Sequence, residues 1–206
     1  GEAKYNVMGY DWQFGYDNGY YYYDGEVRNA HISDYADSRT SSFMPVQQST
    51  EMLWSLSEWE KLDGKYALAN NGELITDFIY DECGSCGNVE LIAVCKDGKW
   101  GYINSTGKEV IPLQFDATWN RYSSDEINVE NLDSEDGTEE FCYASSQGYI
   151  PLRQGDQWEL CDTKGNIIIP FGEFDEILPV NMSKKCWVKK DGKCGVIKIT
   201  DSVVTT

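Results

Sequence analysis

The sequence predicts an all-β fold: an array of antiparallel β-hairpin repeats, solenoid-like or propeller-like, preceded by an aromatic-rich β-meander. Three observations predict it. Asp-Gly and Asn-Gly pairs stand between alternating runs, and a type I′ turn, with φ > 0 at both central residues, is the strongest short hairpin signal. Seven Trp, fourteen Tyr and nineteen Gly against five Pro suit many short strands joined by tight turns. Finally, one unit recurs along the chain, and a recurring unit outranks every other fold signal. The expected organisation is a meander with a polar linker over 1–42, then the array over 43–206, interrupted by an acidic insertion at 117–148.

Residues 1–29 hold Tyr5, Tyr10, Trp12, Phe14, Tyr16 and Tyr20 to Tyr23. Asn18-Gly19 and Asp24-Gly25 read as consecutive type I′ turns, giving three strands. Tyr10, Trp12, Phe14, Tyr16, Tyr21 and Tyr23 then share one face. Exposed, that face stacks sugar rings; buried, it packs against the array, as large aromatic surfaces usually do. Residues 30–42 are rich in Ser and Asp and read as a linker. FMPVQQSTEM (43–52) lines up with YIPLRQGDQW (149–158) as a faint extra copy. Ser49 or Thr50 with Leu53, Leu56 and Trp59 gives a weak helix signal, but the register favours a strand over 56–62.

The best-preserved unit is LIAVCKDGKWGYINSTGKEVIPLQFD (91–116). Centring its turn on Asp97-Gly98 pairs Cys95 with Trp100 and Ala93 with Tyr102, with Val94, Ile92 and Ile103 on the other face. Asn104 to Gly107 suits a type I turn closed by a left-handed residue. Val110 and Ile111 form a strand that Pro112 stops or confines to an edge. Related units place Tyr66, Trp158 and Cys194 at the Trp100 position. In LDGKYALANNGELITDFIYD (62–81), Lys61 is expected opposite Tyr66. In RQGDQWELCDTKGNIIIPFGEFD (153–175), Arg153 faces Trp158 and the reversed Gly155-Asp156 turn favours type II′. In KKDGKCGVIKI (189–199), Lys189 faces Cys194. The aromatic positions lie 34, 58 and 36 residues apart, a period of about 35 with one insertion of about 23. Asp81, Asp116 and Asp175 follow an aromatic at each unit's end and suit capping of the next turn.

DGKWGYINSTGKEVIP (97–112) resembles the Trp-Gly repeat family of bacterial, often secreted or surface-attached, proteins. The resemblance covers 56–199 and departs at Ala67 and Glu159, where the motif has Gly, and at Cys194, where it has Trp. It implies an all-β repeat fold without enzyme activity, a secreted or cell-surface location, and structural repeat positions at Tyr66, Trp100, Gly101, Gly107, Trp158, Gly165 and Cys194. No signal peptide opens the chain at Gly1, so a leader removed before that point is the expectation.

A formal net charge of −18 repels phosphate backbones and anionic lipid, which disfavours nucleic acid as a partner. No apolar run approaches a membrane span, so direct membrane insertion is not expected. SSDEINVENLDSEDGTEE (123–140) carries eight carboxylates and no basic residue, the composition of a solvated loop. Its spacing does not reproduce a calcium loop. Cys83-x-x-Cys86 has half the ligands of a zinc site, and the chain's one His, His31, supplies no second half. The same pair lacks the helix-opening setting of a redox motif. No constellation meets the residue-type test for catalysis, so neither catalytic residues nor cofactors are expected. The seven Cys are expected mostly reduced and partly buried. The function expected is a non-enzymatic extracellular or cell-envelope binding module for glycan or protein, using Trp12, Phe14, Tyr16, Tyr21, Tyr23, Trp100 and Trp158. The alternative is a structural or spacer repeat domain with no ligand of its own.

Overall fold

A computed structural model of the protein describes residues 20–29, 43–53, 64–84, 90–122, 138–200 and 203–205. The described residues are all-β and contain no helix. Residues Trp12, Phe14 and Tyr16, the strand expected over 56–62, the Cys86 end of the Cys-x-x-Cys pair and residues 123–137 of the acidic insertion lie outside them. The chain divides into two compact units, Gly1–Leu113 and Gln114–Thr206.

In the first unit, β1 (Tyr20–Tyr23) and β2 (Glu26–Asn29) form a hairpin. Asp24 (φ 50°) and Gly25 (φ 83°) give it the expected type I′ turn. β1 also pairs in parallel with β3 (Met44–Gln48), which joins β4 (Tyr66–Asn70) and β5 (Glu73–Leu74) in one five-stranded sheet. The second repeat is a separate sheet of β6 (Glu82–Cys83), β7 (Leu91–Lys96), β8 (Lys99–Asn104) and β9 (Glu109–Phe115). Its register is the expected one, Cys95 opposite Trp100 and Ala93 opposite Tyr102, and Asp97 (φ 53°) and Gly98 (φ 73°) form the type I′ turn.

The second unit opens with β10 (Trp119–Tyr122) paired to β11 (Thr138–Phe141) across the insertion. The third repeat is β12 (Tyr149–Gln154), β13 (Gln157–Asp162) and β14 (Ile167–Phe174). Gly155 (φ 60°) opens its hairpin turn, as type II′ requires. The fourth is β15 (Glu176–Ile177), β16 (Lys185–Lys190), β17 (Lys193–Thr200) and β18 (Val203–Thr205).

One sequence expectation is corrected. The partner of Tyr66 is Gln47, not Lys61: β3 pairs with β4 as Met44↔Ala69, Pro45↔Leu68, Val46↔Ala67 and Gln47↔Tyr66. FMPVQQ is therefore no extra copy but the first strand of the Tyr66 repeat, which explains its likeness to YIPLRQ in β12. The local Asp63-Gly64 pair had suggested a tight hairpin, but pairing with a strand that offers Met44 and Val46 for burial wins. Of the two outcomes expected at Pro112, the edge position is the one observed: β9 continues through it to Phe115 as a sheet edge, where a missing N–H costs no ladder bond. Pro170 sits likewise in edge strand β14.

Packing follows the alternation of the strands. Tyr66 and Leu68 of the first repeat cluster with Ile92, Val94 and Ile103 of the second. Trp158 and Leu160 of the third cluster with Cys186, Val188, Ile197 and Ile199 of the fourth. In both stacks the face that carries the aromatic position meets the opposite face of the following hairpin. Burial of such apolar faces is the main favourable term holding the hairpins together.

Candidate functional site

The tryptophan positions are packing positions. Trp100 is 2% exposed and Tyr102 fully buried; Trp158 is 7% exposed. Tyr66 is half-buried and Cys194 exposed. Of the N-terminal aromatics in the described residues, Tyr21 is buried, and its hydroxyl donates to the Leu53 carbonyl (3.4 Å) and accepts from the Leu53 amide (3.2 Å). Tyr23 is half-buried beside Tyr21 and Leu53, with the Arg28 guanidinium 5.8 Å from its ring centroid. Each of these aromatics is engaged within the protein.

The aspartates at the unit ends form a repeated clasp. Asp81, Asp116 and Asp175 donate their amides to the carbonyls of Cys95 (2.8 Å), Arg153 (2.9 Å) and Lys189 (2.7 Å), each the residue opposite the next aromatic position. Their carboxylates accept from the next hairpin turn, at the amides of Asp97 (2.8 Å), Gly155 (2.7 Å) and Asp191 (2.6 Å). The middle clasp forms although the insertion separates its partners. Asp81 also accepts from Lys65 Nζ, and that bond, then the Asp97 amide, holds its carboxyl below the ordinary range. The second turns share a smaller device: Asn104 Oδ1 accepts from the amides of Thr106 and Lys108, and Asp162 Oδ1 from those of Lys164 and Asn166. Gly107 (φ 79°) and Gly165 (φ 84°) close these turns. A Cβ on Gly107 would lie 2.4 Å from the Ile75 carbonyl of the preceding repeat, so this glycine also lets two repeats approach.

The residue after each aromatic position records how closely the third strand approaches. At Gly101 a Cβ would lie 2.6 Å from the Ile111 oxygen and 2.8 Å from the Leu113 nitrogen. Glu159 holds the same place in the third repeat and is 6% exposed. There the ladder jumps from Leu160↔Ile169 to Trp158↔Phe174, a bulge that contains Gly172 at φ 81°. PFGEFD (170–175) has one residue more than PLQFD (112–116), so the partner strand bends away and makes room for the larger side chain. Burial pushes the Glu159 carboxyl up. Gly195 meets nothing closer than 4.0 Å, a Val188 methyl.

A cleft of about 530 Å³ opens in the second unit, lined by Thr118, Arg153, Asp156, Trp158, Asp175 and Glu176 among others. Arg153 is fixed there by its Nε, which donates to the Ala117 carbonyl at 2.6 Å. The cleft is lined by an indole, one guanidinium and three carboxylates, a set suited to hydrogen-bonding a polar ligand. Trp100 does not line it.

The sequence model of the family described as WG containing repeat matches residues 70–100, 100–120 and 160–194. The chain carries WG-containing repeats. Two of the three matched segments, 70–100 and 160–194, end on an aromatic position, Trp100 and Cys194, and each of these two contains a complete clasp, Asp81 with Asp97 and Asp175 with Asp191. Comparison with curated proteins gives no match, and comparison with solved structures gives none. No helix among the described residues is long and apolar enough to cross a membrane. One WG-repeat feature escaped the functional reading of the sequence, the exposed Trp187 (55%) of β16. Its signal was present in the alternation of Lys185, Trp187 and Lys189 with Cys186 and Val188.

Proposed function

We propose that the chain is a non-enzymatic WG-repeat scaffold, a structural or spacer domain in which the repeat aromatics hold hairpins together. The burial of Trp100 and Trp158 within hairpin packing carries this reading, because a ligand platform needs an accessible ring face. The test is Trp100→Ala. Truncating so large a buried ring is expected to cost about 3–5 kcal/mol, and hydrogen exchange should open the neighbouring repeats first, since stability in an array is a sum of nearest-neighbour terms. Wild-type stability combined with loss of binding to a glycan or protein would overturn the reading.

A second reading, a binding module for glycan or protein at or outside the cell surface, draws support from the cleft beside Trp158. Saturation-transfer NMR with a glycan panel tests it. Transfer to a sugar that Arg153→Ala abolishes at unchanged melting temperature would favour it over the scaffold.

A further inference from the structure

Both stacks cover the aromatic-side face of one hairpin with the opposite face of the next. In the fourth repeat that aromatic-side face is bare. Trp187 stands directly opposite Val196, Lys185 opposite Lys198 and Lys189 opposite Cys194. Trp187 is 55% and Val196 46% exposed, and all three lysines are exposed. The equivalent residues of the second repeat, Ala93, Cys95, Trp100 and Tyr102, are all buried. In the first repeat the corresponding interface is closed: Met44, Val46, Ala67 and Ala69 are packed by Tyr22, Val27, Leu74 and Phe78.

We propose that this face docks a WG-type β-hairpin of a partner protein, one with an aliphatic face rimmed by carboxylates. The aliphatic side chains cover Trp187 and Val196, continuing the stacking seen twice within the chain, and the carboxylates meet Lys185, Lys189 and Lys198. The inference rests on the scaffold reading above. A second copy is a poor occupant. Its matching aliphatic face is already filled, and a two-fold pairing of the lysine faces sets like charges together.

The probe is a synthetic hairpin peptide built around Asp-Gly, with Ile and Val on one face and Glu at its rim. It is used free and also tethered to the C-terminus through a Gly-Ser linker, which raises its effective concentration to the millimolar range. Fluorine NMR of fluorotryptophan-labelled protein follows the Trp187 signal, assigned with Trp187→Ser. The acidic hairpin is expected to shift that signal and shield it from solvent, less so at high salt. The combined change Lys185→Glu, Lys189→Glu and Lys198→Glu should weaken binding about tenfold or more and transfer the preference to a lysine-rimmed hairpin. Three results overturn the proposal: an unshifted Trp187 with the tethered acidic hairpin, equal binding of both hairpins, or Trp187 shielded only by phosphatidylglycerol vesicles or by self-association. Trp187→Ser should abolish docking at unchanged melting temperature. Failure of the scaffold reading appears instead in the stability of Trp100→Ala, so the two outcomes separate.

Discussion

At the scale of single residues, the position after each aromatic shows how a repeat tolerates departures from its motif. Gly101 lies against the backbone of 111–113, and a neighbouring main chain cannot give way as a side chain can. Gly101→Ala is expected to destabilise by about 1–3 kcal/mol, while Gly195→Ala stays within about 0.5 kcal/mol. Urea unfolding of the two variants measures the contrast. Glu159 carries a pH signature. Burial raises its carboxyl above the ordinary 4.5, so the folded chain holds that proton more tightly than the unfolded one. Stability therefore falls as pH rises through that window. Glu159→Gln should raise the melting temperature at pH 7, and the gain should vanish once acid protonates the carboxyl in both states. Asp81 acts in the opposite sense: its lowered carboxyl contributes stability above 3.8, lost as pH falls through its folded value.

At the scale of elements, hairpin turns and edge strands obey local chemistry, whereas strand partnership does not. The type I′ turns at Asp24-Gly25, Asn71-Gly72, Asp97-Gly98 and Asp191-Gly192 all have both central residues at positive φ. The aspartate clasps were equally legible, because an aromatic-Asp pair recurs before every turn it caps. The partner of Tyr66 escapes local chemistry because Gln47 is farther off in sequence than Lys61, and sequence proximity favours the nearer residue. The acidic insertion is a separate element anchored by the pairing of β10 with β11. Replacing 124–136 by a short Gly-Ser turn should leave the melting temperature nearly unchanged, since charged residues without an apolar face bury little and loop length costs entropy only logarithmically. Loss of cooperative unfolding in calorimetry would show that the segment packs into the core.

At the scale of the whole molecule, the cysteines report burial. Cys95, Cys142, Cys161 and Cys186 are buried, Cys83 is half-buried and Cys194 exposed, and none of these six is in a disulfide. Burial pushes Cys161 up to about 12 and Cys186 to about 11, and raises Cys83 as well. Since the thiolate is the nucleophile, these sites should resist alkylation. Iodoacetamide on the native protein should label Cys194 first and fewer than seven sites in all, with all seven labelled after denaturation without reductant. Two or more disulfides by mass spectrometry would contradict this.

What the sequence determined by itself was periodic and local: an all-β fold, the turn types, the register of the second, third and fourth hairpins, and the WG unit. These depend on alternation and on φ preferences that a few adjacent residues encode. The tertiary structure decided which strand completes the Tyr66 hairpin, how Glu159 fits where Gly stands elsewhere, and which aromatics reach solvent. Trp100 and Trp187 are both indoles on alternating strands, and alternation assigns each to a face without saying what covers that face. One is buried and the other is exposed on the bare face of the fourth hairpin, because burial belongs to the element that covers a face and not to the residue upon it.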